Sequence, residues 1–237
     1  MKYFIFDVDD TLYLRSEPFI RACIQTFPAL ADIDSETLYT IRKKHSDFSF
    51  DEMNAGRMTS EEMYLYRTKE TFREFSIDLS SEEALAFENL YAQMLGKIRL
   101  HPDAESILAY LKAKEAPMAV ITNGFEERQK NKMKALQLQR YIEPDRWLVS
   151  GEIGIDKPDV RIFHHAGQKF HISPQDAWYI GDSYTSDILG AKSAGWHTIW
   201  LSRRAEPSPA EKLADYTVSS YDALFSLLKA LCGTGGC

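Results

Sequence analysis

Short apolar runs that end on polar or acidic residues occur in two widely separated parts of the chain. Tyr3-Phe4-Ile5-Phe6 is apolar and aromatic and stops at Asp7. A run without polar alternation suits a strand buried on both faces of a parallel sheet. Four more such runs come late: Met118 to Thr122, Trp147 to Val149, Ala177 to Ile180 and Thr198 to Leu201. Helical spacing separates them, with Ile107, Leu108 and Leu111 before the second run and Ile162, Phe163 and Ala166 before the fourth. This alternation predicts an α/β fold built on a doubly wound parallel sheet. Ligands of such sheets sit beyond the carboxyl ends of the strands, where Asp7, Thr122 and Asp182 all fall.

Between residues 14 and 97 the alternation stops. Phe19, Cys23, Ile24 and Phe27 repeat at helical spacing, as do Leu38, Ile41 and Phe48, and then Phe87, Leu90, Tyr91, Met94 and Leu95. Thr59 with Glu62 and Ser80 with Glu83 have capping-box spacing, which marks two helix starts. The pattern therefore predicts a core made of 1–13 and 98–232, a helical cap at 14–97 inserted after the first strand, and a flexible tail at 233–237. The aromatic stripe of the insert reads as a bundle core rather than a ligand cage.

Composition narrows the classes without choosing among them. The 237 residues are 44% hydrophobic and 27% charged, which is ordinary for a globular protein. A net charge of -7 argues against a nucleic acid polymer as the main partner. Cys23, Cys232 and Cys237 are odd in number and lack metal-like spacing, so they suggest neither a disulfide framework nor a zinc site. With no signal-like start and no bilayer-length apolar run, the expectation is a cytoplasmic protein that keeps off membranes, a monomer or weak homodimer.

Candidate chemistry lies at the strand ends. Asp7 and Asp9 are two apart on an extended run, so alternation puts both carboxylates on one side while Val8 faces away. Transfer of a phosphoryl group to one carboxylate, with a second moving protons, is a workable route for hydrolysing a slow phosphate monoester. Asp7 suits the nucleophile and Asp9 the acid/base. On its own, the pair could equally be a solvated acidic turn. Thr122-Asn123-Gly124 ends a strand with a hydroxyl and opens a helix near Phe125, a place to hold phosphate through Thr122, Asn123 and free backbone amides, or else merely a capped turn. Lys157 stands immediately before a helix-starting Pro158 and could neutralise a phosphoryl group and the nearby carboxylates, although most lysines are solvated. Asp182 closes another strand, with Asp187 beyond it. Asp7, Asp182, a carbonyl assigned to Asp9 and the substrate phosphate would complete an oxygen site for Mg2+. Asp187 would bind that ion directly or through water, or orient Lys157.

Taken together, these four segments resemble the motifs of the haloacid dehalogenase superfamily. Asp7-Val8-Asp9-Asp10-Thr11-Leu12 looks like its nucleophile motif and Thr122-Asn123-Gly124 like its phosphate motif. Lys157-Pro158 looks like its lysine motif, and Gly181 to Asp187 like its metal motif. The resemblance implies a Rossmann-like core with an inserted α-helical cap, Mg2+ and a phosphoaspartate on Asp7. Asp10 stands where many members have Gly, and Asp103 replaces a frequent Gly after Pro102. Ile121 to Phe125, Ser186 to Ala191 and Tyr216 to Ser220 are similar to pyrimidine 5'-nucleotidases and to acylneuraminate phosphatases. The last of these segments reads as a terminal strand. The expected partner is thus a small phosphorylated metabolite. Sugar phosphates, a phosphomutase reaction, or a phosphorylatable signalling protein stand as alternatives. Dehalogenation is disfavoured by Asp9 and the metal pair. Cap residues Arg57, Tyr64, Arg67 and His45 are candidate substrate contacts.

Overall fold

A computed structural model describes residues 1–203 and 213–233. The tail expected at 233–237 lies, beyond Gly233, outside the described residues. The chain divides into two compact units, Met1–Leu14 with Arg99–Cys237, and Arg15–Ile98.

The first unit holds a six-stranded sheet: β1 (Tyr3–Phe6), β2 (Met118–Thr122), β3 (Trp147–Val149), β4 (Ala177–Gly181), β5 (His197–Leu201) and β6 (Tyr216–Val218). The order is β3-β2-β1-β4-β5-β6 and every pairing is parallel. This is the doubly wound Rossmann-like order, and it reverses at β1, so the crevice lies where β1 and β4 part. Asp7 N donates to Ile180 O at 2.9 Å, which carries the β1–β4 ladder up to the edge of that crevice.

Apolar side chains of alternating parity cover both faces of the sheet. On one, Ile5, Ile121, Leu148 and Tyr179 join Ile162, Phe163, Ala166 and Phe170 in a buried core. By the two-residue period of a strand, Phe4, Phe6, Val120 and Ile180 occupy the other face, and all four are buried.

The second unit holds four α-helices, α1 (Ser16–Thr26), α2 (Ser35–Asn54), α3 (Ser60–Arg73) and α4 (Ser81–Leu95), with a short 3-10 turn at Pro28–Asp32. Both expected capping boxes form, Thr59 with Glu62 and Ser80 with Glu83. Phe19 packs edge-on against Phe87 and Tyr91, and Phe72 against Phe87, a true bundle core. Two members of the expected stripe, Ile24 and Phe48, are instead exposed. Within this core Glu88 accepts from Arg42, from Arg67 through two nitrogens, and from Thr68.

The remaining helices belong to the first unit: α5 (Pro102–Ala113), α6 (Glu126–Ala135), α7 (Ser150–Ile153), α8 (Val160–Phe170), α9 (Gly190–Ser193) and α10 (Tyr221–Cys232). A π-helical turn, Tyr184–Leu189, leads into α9. The helix expected to start at Pro158 starts two residues later, because the Asp159 carboxylate accepts from Arg161 N and makes the better N-cap. Cys23 is a free buried thiol.

Candidate active site

Asp7 leaves β1 at the sheet's reversal, almost fully buried. The next turn needs a left-handed residue, and Asp10 supplies it at φ 59°. Asp adopts that conformation more readily than most non-glycine residues, which explains why Asp can stand in a position that Gly fills elsewhere. The Asp10 carbonyl accepts from Arg203, and Tyr221 donates to Thr11 O at 3.0 Å, so the turn is tied to the end of β5 and to α10.

Lys157 is the hub of the site. Its three N–H donors are shared among four oxygens: Asp187 Oδ1 at 2.6 Å, Asp7 Oδ1 at 2.7 Å, Tyr179 Oη at 2.8 Å and Ile121 O at 3.2 Å. Tyr179 in turn donates to Ile121 O at 2.9 Å. Burial alone would lower the pKa of Lys157, but the Asp187 and Asp7 carboxylates hold it well above the usual lysine value. Asp7 is pushed up to about 7, chiefly by burial. Lys157 opposes the rise, and Asp187 and Asp9 add to it.

Asn123 ties the Thr122 segment to the lysine loop. Its Oδ1 accepts from Lys157 N and its Nδ2 donates to Lys157 O, both at 2.8 Å. The amide therefore fixes the lysine loop through its oxygen and one of its two Nδ2 hydrogens. The Gly124 amide, expected to be free, donates to Ser150 Oγ at 2.9 Å. That approach depends on Gly151, where a Cβ would fall 2.6 Å from Gly124 O. Thr122 does offer a donor. Its hydroxyl is buried and has no hydrogen-bond partner among the described residues.

The metal set partly assembles. Asp7, Asp182 and Asp187 present carboxylate oxygens within 4.8 Å of one another. Three hard oxygen donors facing one ammonium leave excess negative charge, which fits a divalent cation. Asp187 is already engaged: Oδ1 accepts from Lys157 at 2.6 Å and Oδ2 from Ser183 N at 3.0 Å. It can lie this close because position 181 is glycine; a Cβ there would sit 2.2 Å from Asp187 Oδ2. Trp200 Nε1 donates to Asp182 O at 2.9 Å and steadies that loop.

The Asp9 carboxylate stands apart from this set. Lys132 Nζ reaches its two oxygens at 2.8 and 2.7 Å, Tyr13 donates to Oδ1, and Gln129 Nε2 to Oδ2 at 3.1 Å. With its side chain held there, the share of a metal site expected from Asp9 falls to its main-chain carbonyl. Lys132, Gln129, Tyr13 and Tyr179 were not singled out by sequence. The one signal was the Gln-x-x-Lys spacing on α6, which places two side chains on one helical face.

Most candidate contacts in the helical unit are engaged inside it. Arg67 is locked on Glu88, with its guanidinium 4.6 Å from the Tyr64 ring. Arg57 binds Glu52 through two nitrogens, and His45 is buried, 3.4 Å from Glu74.

A family model described as haloacid dehalogenase-like hydrolase matches residues 1–195. A phosphoserine phosphatase of Thermus thermophilus is 33% identical over 126 residues, 53% of this chain and 50% of its own length. A glyceraldehyde 3-phosphate phosphatase of Methanopyrus kandleri is 26% identical over 98% of both chains. A pyrimidine 5'-nucleotidase of Escherichia coli is 33% identical over 144 residues, 60% of this chain and 61% of its own. The chain thus spans half the length of the first of these relatives and nearly all of the second. In fold it is similar to a magnesium-bound HAD-hydrolase of Bacillus subtilis, at TM-score 0.75 and 23% identity over 96% of this chain and 98% of that one.

Proposed function

The chain belongs to the haloacid dehalogenase-like hydrolase family, and from that premise we propose a Mg2+-dependent phosphomonoesterase that works through a phosphoaspartate on Asp7. The observation that carries this reading is the buried Lys157 ammonium joining Asp7 to Asp187, with Asp182 in ligand reach. Asp7 attacks phosphorus and the ester P–O bond breaks. Asp9 gives its proton to the departing oxygen. Water then attacks the acyl phosphate, returns a proton to Asp9 and frees Asp7 and inorganic phosphate. Thr122 donates its unpartnered hydroxyl to the phosphoryl oxygens, and Lys157 neutralises their charge. Asp7, Asp182 and the Asp9 carbonyl would hold Mg2+, with Asp187 acting through water and orienting Lys157; the ion supplies charge neutralisation on the phosphoryl group.

For substrate, we propose a small phosphorylated metabolite, with a nucleoside 5'-monophosphate first. The support is the similarity to the Escherichia coli pyrimidine 5'-nucleotidase. Sugar and acylneuraminate phosphates stand as alternatives, as does glyceraldehyde 3-phosphate, supported by the nearly full-length match.

The test is a phosphate-release screen over these classes with and without Mg2+, alongside Asp7→Asn and Asp9→Asn. Metal-dependent release that Asp7→Asn abolishes and Asp9→Asn cuts to a small residual is expected. Full turnover in Asp7→Asn would overturn the mechanism. Inert nucleotides beside a reactive sugar phosphate would overturn the substrate class alone. Dependence on an added bisphosphate would mark a phosphomutase.

A further inference from the structure

The inner face of α6 is mostly polar. Of its ten residues, the buried ones are Gln129, Lys132 and Met133, although the helix carries lysines at 130, 132 and 134. A lysine withdrawn from water is destabilising unless a partner compensates it. The partner here is Asp9: Lys132 Nζ lies 2.8 and 2.7 Å from its two carboxylate oxygens. Gln129, one helical turn earlier, divides its amide between Asp9 Oδ2 at 3.1 Å and Asn123 O at 2.6 Å. Asn123 is the residue that grips the backbone of Lys157. One polar face of one helix therefore joins the nucleophile turn to the lysine loop.

We propose that Lys132, assisted by Gln129, is a positioning residue for proton transfer. It sets the orientation from which the Asp9 carboxylate serves the leaving oxygen and the attacking water. The inference rests on the phosphatase reading, in which Asp9 moves the protons. The Asp9 side chain has two rotatable bonds and follows a strand end that also carries Asp7. Without the Lys132 cation on its two oxygens, repulsion between the two carboxylates and rotamer freedom would scatter it. Lys132 acts through Asp9, so its loss is felt where proton transfer matters and hardly elsewhere.

Two esters separate the possibilities. p-Nitrophenyl phosphate releases a stable phenolate that needs little protonation, whereas phenyl phosphate releases a more basic oxygen that needs more. In Lys132→Met, kcat/KM for phenyl phosphate is expected to fall about 10- to 100-fold, and for p-nitrophenyl phosphate by about threefold or less. Lys132→Arg should restore part of the loss. The double variant Asp9→Asn, Lys132→Met should match Asp9→Asn alone, because a residue acting through Asp9 has nothing further to lose. Equal losses on both esters, or a double variant worse than Asp9→Asn, would overturn the proposal. If Lys132→Met does not fold, Gln129→Met and Lys132→Arg carry the same ester comparison. Failure of the phosphatase reading looks different: the unsubstituted protein would release phosphate from neither ester, or Asp9→Asn would turn over normally.

Discussion

The Lys157 ammonium stands 2.7 Å from the Asp7 carboxylate, and both side chains are nearly closed to solvent. Removing the charge leaves Asp7 and Asp187 facing each other with no cation between them. Lys157→Met is therefore expected to lower turnover about 10²- to 10³-fold. Because a broken buried pair costs about 3–5 kcal/mol, metal-free protein should also unfold at a lower temperature. Steady-state kinetics with a thermal melt checks both, and unchanged turnover would remove Lys157 from the site.

Asp7 gives a pH dependence with a definite sign. Burial raises its pKa in the folded protein to about 7 from an ordinary 3.8, so between those values the folded state binds a proton that the unfolded chain releases. The stability contributed by this group is full at low pH and declines as pH rises toward 7. A metal ion requires the carboxylate, so it competes with that proton. Calorimetric titration of the metal-free protein should show Mg2+ binding about tenfold weaker near pH 6 than near pH 8, with proton release at the lower pH. Equal affinity at both would mean that Asp7 does not hold the ion.

Thr122→Val tests the buried hydroxyl. It makes no hydrogen bond among the described residues, so an isosteric replacement forfeits none and should hold or raise the melting temperature. Phosphate binding should suffer, with KM for a phosphate ester up by about tenfold, the worth of one hydrogen bond to a charged group. Loss of stability with unchanged KM would give Thr122 a purely structural role.

Glu88 makes the opposite kind of prediction. Burial alone would raise its pKa, but the Arg67 and Arg42 guanidiniums outweigh burial and hold the carboxyl well below the usual range. Its stabilising contribution is therefore complete above about pH 4.5 and is lost progressively below it. Glu88→Gln leaves two buried guanidiniums without their counter-charge and is expected to cost about 3–5 kcal/mol in denaturant unfolding at neutral pH. It should also flatten the acid limb of the stability profile. An unchanged acid limb would show that Glu88 is not the group titrating there.

Much of the sheet was legible because its strands are apolar on both faces and end abruptly at chemistry. Tyr3–Phe6, Met118–Thr122 and Trp147–Val149 stand as read. The haloacid dehalogenase-like relationship and the Rossmann-like fold were visible in the same segments. Side-chain direction within polar stretches was not legible. Beyond its spacing from Gln129, nothing linear distinguishes the inward Lys132 from Lys130, which binds Glu126 and Glu152. Arg67 looked available for substrate because Glu88, which neutralises it, lies on another helix. The tie from Asn123 to the lysine loop was not legible because its partner backbone, at Lys157, is 34 positions away.

Finally, β1 sits at the middle of the sheet yet is the first strand made. Its neighbours, paired at Phe4 with Met118 and with Trp178, come only after the whole helical insert. During synthesis the run Phe4-Ile5-Phe6 must therefore wait, unpaired, while the four helices emerge and are free to close on their own aromatic core. The insert would be free to fold before the sheet does, and the nucleophile would wait for its surroundings until β2 and β4 are made.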